Sequence, residues 1–200
     1  MERERYATLI ELPDELRSAR IVVRPYRAGD AEAVFAAIVE SRAELLPWMD
    51  WVDHHQSVED TRDFCVRCAA GWLGRTALDV GIFDARDGGF LGATGFPKFD
   101  WGLRKFEVGY WLRTSAWGHG YVHEAVRLLA RLVFEELGGV RLELRCDARN
   151  ERSRRVAERA GFMLEGRLRN ESRDPQGRLR DTLVFGLVPE DWARGESRES

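Results

Sequence analysis

"RTSAWGHGYVHEAVRLL", residues 113–129, sets a glycine on each side of His119 and then runs into helical spacing. Glycine commonly ends a helix by relieving a left-handed residue, whereas other residues usually cap a helix start. Gly118 and Gly120 therefore need another reason. The first amides of a helix lack intrahelical partners, and the helix dipole adds partial positive charge there. Residues without a Cβ just before such a helix let an anion approach the main chain. The segment reads either as a phosphate cradle or as a tight turn.

The flanks define its setting. "KFEVGYWL" (105–112) reads as a strand. After the glycines, Val122, Ala125, Val126, Leu129, Leu132 and Val133 recur at helical spacing, with His123, Arg127, Arg131 and Glu135 on the opposite face. Gly138 and Gly139 stop the helix, and "VRLELRCDA" (140–148) returns to strand character. Strand, helix and strand have the length and order of a crossover unit, so the two strands are expected to lie parallel.

Upstream, "RIVVRPY" (20–26) reads as a strand, and Asp30 caps a helix expected to run to about Val39. "SRAELLPWMDWV" (41–52) reads as a second, short helix stopped by Pro47. Ser57 and Asp60 form a capping box that opens a helix to about Leu73. The period then changes. "TALDVGIFD" (76–84) and "GFLGATGFPKFD" (89–100) form a hairpin around Asp87-Gly88-Gly89, and 105–112 adds the third strand of an antiparallel meander. Downstream, Asn150 opens a short helix ending at Gly161, and "FMLEGRLR" (162–169) and "LRDTLVFGLV" (179–188) form a last hairpin around "DPQG".

With 200 residues and 44% hydrophobic content, the chain is expected to form a single domain over 1–192 and a solvated, flexible tail over 193–200. The net charge of -3 balances 31 basic against 34 acidic residues, which removes the global positive field that nucleic acid or an anionic membrane would require. All but two of the basic residues are arginines, whose forks can grip phosphates. With neither a signal-like start nor a long apolar run, a soluble, cytoplasmic protein is expected. Cys65-x-x-Cys68 sits in a helical pattern without a second ligand pair and reads as reduced thiols. The histidine pairs 54/55 and 119/123 have no third ligand beyond Glu124, so no metal is expected.

A Walker loop, which needs Gly-Lys-Ser/Thr, is absent, and a dinucleotide loop would need glycine where His123 stands. Instead, "FEVGYWLRTSAWGHGYVHEA" followed by "NERSRRVAERAGF" resembles the two core motifs of the GCN5-related N-acetyltransferases (GNAT), and more closely the branch that acetylates ribosomal-protein N-termini (RimJ/RimL-like). "LRSARIVVRPYRAGDAEAVF", "ELLPWMDWV" and "GRLRDTLVFGLVPEDW" extend the resemblance in the right order over about residues 18–192.

The resemblance implies an α+β fold: a mostly antiparallel central sheet with two parallel, splayed strands, helices on both faces, and acyl-coenzyme A in the opening. It implies that the main chain of Trp111, Leu112 and Arg113 pairs with the pantetheine arm. It also implies that the amides of Trp117, Gly118, His119, Gly120, Tyr121 and Val122 cradle the pyrophosphate. Asn150 would contact the pantetheine, and Ser153 would face the thioester sulfur. Two positions depart from the pattern: Ser115 stands where relatives often carry Gln or Arg, and Ala157 where many carry a tyrosine that protonates the leaving thiolate. Ser153 becomes the candidate proton donor. Such relatives are often homodimers.

Transfer of an acetyl group to an amine needs a neutral nitrogen and a means of quenching the thiolate. An α-amine of pKa about 7.8 is roughly a tenth neutral at pH 7, while lysine, at about 10.4, is well under a thousandth neutral. A protein N-terminus therefore needs less help from a base. Glu107, on the strand leading to the splay, is the candidate base, set against an ordinary charged residue on a strand's outer face. Glu171 is the reserve. Trp48 and Trp51 read as either core or the aromatic wall of an acceptor groove. A small-molecule amine as acceptor, or a non-catalytic acyl-CoA-binding module, are the alternative functions.

Overall fold

The computed structural model describes residues 6–199. Residues 1–5 and 200, at the ends of the expected domain and tail, lie outside the described residues. The chain first forms β1 (Leu16–Arg17) and β2 (Ile21–Pro25), then α1 (Ala31–Leu45), α2 (Val58–Gly74), and the meander β3 (Leu78–Asp84), β4 (Phe90–Asp100) and β5 (Lys105–Leu112). Next come α3 (Tyr121–Arg131), extended by a π turn (Leu132–Glu136), β6 (Arg141–Asp147) and α4 (Glu151–Arg159). The hairpin β7 (Met163–Arg173) and β8 (Leu179–Leu187) follows, and α5 (Pro189–Glu199) closes the order.

All eight strands join one sheet in the order β1-β2-β3-β4-β5-β6-β8-β7. Each pairing is antiparallel except β5 with β6. Alternation assigns the two faces. Ile21 and Val23 belong to the core under α3, with Ala125, Val126 and Leu129, whereas Val22 points into a second core with Val34, Ala37 and Ile38 of α1 and Cys65 and Cys68 of α2. Burial pushes both thiols of α2 up, Cys65 to about 11 and Cys68 to about 12, and neither is in a disulfide. They behave as small apolar groups.

One expectation needs correction. The segment 30–45 is one helix rather than two: Ser41, read as a boundary, is buried on α1, and the break comes only at the turn around Pro47. The helix α5 extends to Glu199, into the stretch expected as a tail. Trp192 anchors α5 beneath it, buried in the α3 core with its indole N–H donating to Glu135 at 3.2 Å.

α2 begins with a reciprocal cap. The amide of Asp60 donates to Ser57 Oγ at 3.1 Å, and the amide of Ser57 donates to the Asp60 carboxylate at 2.9 Å. Replacing Ser57 with alanine is expected to cost about 1 kcal/mol. In a chain of this size that lowers Tm by roughly 2–4 °C in a thermal melt.

Candidate functional site

The opening in the sheet follows from its registers. β5 and β6 pair at Lys105↔Arg141, Phe106↔Leu142, Glu107↔Glu143 and Val108↔Leu144, and then stop. Beyond that point β5 stays bonded to β4 as far as Leu112, and β6 stays bonded to β8 as far as Asp147. Each strand keeps its outer neighbour and loses the inner one. A cavity of about 870 Å³ runs through the gap, from the Trp48–Met49 turn to the start of α3.

At the α3 end, Gly118 and Gly120 both have φ of +81°, a left-handed conformation in which a Cβ is strained. A Cβ on Gly118 would meet nothing within 4 Å, and one on Gly120 would meet only the Arg20 guanidinium, at 3.6 Å. The glycines thus serve the turn and leave the main chain bare. Among the described residues, the amides of Gly118, His119, Gly120, Tyr121 and Val122 donate no hydrogen bond. Arg20 fixes the loop from outside: it reaches the His119 carbonyl at 2.9 Å and bonds Glu124 on α3. His119 stacks on Tyr121. Arg152, Arg155 and Arg159 give the adjoining rim positive character, and Arg152 lies over the Trp117 ring at 4.1 Å. Bare amides at a helix start, beside arginines and with open space at each missing Cβ, fit a diphosphate.

The surroundings narrow the expected contact set. Trp117's amide already donates to the Thr114 carbonyl at 3.2 Å, so it is not part of the bare run; its indole N–H instead holds the Leu112 carbonyl at 3.1 Å. Arg113's amide donates to Leu91 and its carbonyl accepts from Ala116. Hydrogen-bonded pairs alternate along antiparallel strands, so the Arg113–Leu91 bond turns the Trp111 peptide toward β4 as well. The peptides of Tyr110 and Leu112 are those that face the gap. Arg113's side chain grips Glu40 of α1, which also accepts from the Thr114 hydroxyl at 3.0 Å and the Ser115 amide at 2.9 Å. That grip, Arg113 first, lowers the Glu40 carboxyl to about 2.

On the other wall, Asn150 accepts from the Ser153 amide at 3.1 Å, which makes it the N-cap of α4 and points Ser153 into the cavity. Ser153 Oγ lies 2.9 Å from the hydroxyl of Tyr110, a residue sequence reasoning missed. Ala157 is fully buried and offers no hydroxyl.

On the opposite face of β5, Glu107 lines the cavity and is largely buried, with Lys98 Nζ 3.7 Å away. Burial raises its pKa above the usual carboxylate range. Glu171 lines the same cavity from an irregular stretch of β7, where the register shifts between Leu168 and Ser172 and Asn170 adopts a φ of +51°. It accepts from the Thr182 hydroxyl at 2.9 Å and from Arg145 at 2.6 Å, and the hydroxyl first, then the cation, lower its pKa. The two tryptophans part company. Trp48 lines the cavity, whereas Trp51 packs on Trp111 at 5.5 Å and on His55 at 5.8 Å, within the second core.

Residues 20–163 match the family model described as "Acetyltransferase (GNAT) domain". A Bacillus subtilis protein named "Putative ribosomal N-acetyltransferase YdaF" is 29% identical over 175 residues, 86% of this chain and 93% of that protein. The ribosomal-protein-serine acetyltransferase of Escherichia coli is 27% identical over 136 residues, 68% of this chain and 75% of its own. Among solved structures, the Microcin C7 self-immunity acetyltransferase MccE in complex with acetyl-CoA and AMP superposes with a TM-score of 0.80 at 22% identity, covering 86% of this chain and 93% of that one.

Gly120→Val places a branched side chain over the bare amides. Coenzyme A affinity measured by calorimetry is expected to fall at least tenfold while the fold survives; an unchanged Kd would mean that no phosphate rests there.

Proposed function

The chain belongs to the GNAT acetyltransferase family, and we propose that its acceptor is the α-amine of a protein N-terminus, of the ribosomal-protein type. It is an N-acetyltransferase with acetyl-CoA as donor. Among the described residues no helix is long and apolar enough to cross a membrane. The observation that carries the acceptor reading is the asymmetry between the two cavity carboxylates. Glu171 is tied to Thr182 and Arg145 and its pKa is lowered, so it is a weak base. Among the described residues Glu107 has one loose ion pair, with Lys98, while Arg145 and Lys105 act on it only at longer range, and burial raises its affinity for a proton. One modest base suits an amine that is already partly neutral near pH 7 and suits lysine poorly. The names carried by YdaF and the Escherichia coli relative support the same acceptor class.

In this reading the bound donor supplies an activated acetyl group, and the protein does the rest. Gly118 to Val122 hold the diphosphate, and the outward Tyr110 peptide and the amide of Leu112, whose carbonyl is held by the Trp117 indole, align the arm as an added strand would. Asn150 fixes the first turn of α4. Glu107 takes the proton from the acceptor nitrogen, directly or through water. Ser153 gives its hydroxyl proton to the departing sulfur. Trp48 and Glu171 line the acceptor's approach, with Glu171 orienting Arg145 rather than moving protons.

A base with a raised pKa works only once it has lost its proton, so kcat/KM is expected to rise with pH through the Glu107 titration. Glu107→Gln removes that limb, leaving only the limb of the amine itself, and lowers kcat by about 10²-fold. Incubation with labelled acetyl-CoA and a panel of N-terminal peptides, lysine peptides and small amines tests the acceptor. Label is expected on peptide α-amines; preferential labelling of small amines would overturn the acceptor class, and absence of transfer to any amine would overturn catalysis.

A further inference from the structure

The mechanism leaves unused a half-buried phenol on the cavity wall. Tyr110 is the first residue on its face of β5 after the last β5–β6 pair at Val108, so its side chain enters the gap where the strands part. Its hydroxyl lies 2.9 Å from Ser153 Oγ and 3.3 Å from the Ser153 carbonyl, across 43 residues of sequence. Ser153 is thus held from both directions: Asn150 fixes its backbone and Tyr110 its side chain.

We propose that Tyr110 is a positioning residue for proton delivery, donating to Ser153 Oγ so that the serine's own O–H is directed at the departing sulfur. This rests on the reading of Ser153 as the proton donor. The Ser153 O–H bond breaks as an S–H bond forms on the thiolate, and the serine oxygen, briefly anionic, retains the phenolic O–H as its donor. Solvent then returns the proton to the serine. A half-buried phenol suits this task, because burial raises its pKa and keeps it protonated throughout the neutral range. A charge-assisted hydrogen bond to the serine oxygen strengthens as negative charge develops there. Ala157 contributes no hydroxyl from α4, so the supporting hydroxyl comes from the opposite wall.

Tyr110→Phe tests this, with Ser153→Ala and the double variant measured beside it. For Tyr110→Phe, kcat is expected to fall at least tenfold while KM for acetyl-CoA stays within twofold, and the double variant is expected to be no slower than Ser153→Ala. Two independent losses that multiply in the double variant would overturn the proposal, as would a wild-type rate for Tyr110→Phe beside a slow Ser153→Ala. A wild-type rate for Ser153→Ala removes the serine's role first and the proposal with it. Should Tyr110→Phe fail to fold, 3-fluorotyrosine at position 110 keeps the shape and makes the hydroxyl more acidic. A better hydrogen-bond donor is then expected to change kcat at least twofold while KM for acetyl-CoA stays unmoved, and an unchanged kcat would leave Tyr110 as packing alone.

Discussion

The site depends on an interruption in the sheet. β5 and β6 share four residue pairs and then separate while each remains bonded to its other neighbour. Unpaired backbone inside a protein is costly unless something completes it. Here the unpaired groups border a cavity that ends at the free amides of α3. The same interruption brings Tyr110 and Ser153 together, since both project into space that a continuous sheet would have closed.

Around this gap the chain divides its labour between the two faces of β5. The face toward α3 and α4 carries Tyr110 and meets Ser153, while the other face carries Glu107 and meets Lys98. Alternation along one strand therefore separates the group proposed to accept a proton from the phenol proposed to position the proton donor. α1 joins the two regions. Its Glu40 holds the turn that leads into the glycine loop, and the residues just past its end, Trp48 and Met49, line the far end of the cavity.

Much of this could be read from the sequence because it is local. The meander, the crossover through α3, the capping box of α2 and the parallel pair all follow from spacing and turn chemistry over short windows. What escaped was tertiary. Ser41 looked like a helix boundary because it is polar, yet on α1 it is buried and accepts the Thr114 amide. Trp51 carried no mark to separate it from Trp48, and only the packing against Trp111 does so. Tyr110 was one aromatic in a strand, and its meaning depends on a partner brought in by α4. Arg113 and Trp117 lay in the right stretch, but the main chain of Arg113 and the amide of Trp117 were already taken by neighbours that periodicity does not reveal.

The outward peptides of Tyr110 and Leu112 have one more consequence. A ligand gripped through main-chain polarity is indifferent to which side chains the strand carries, so that half of the recognition leaves no letter behind. In the proposed reading, a substitution at Trp48 changes the choice of acceptor and leaves the main-chain grip on the donor intact.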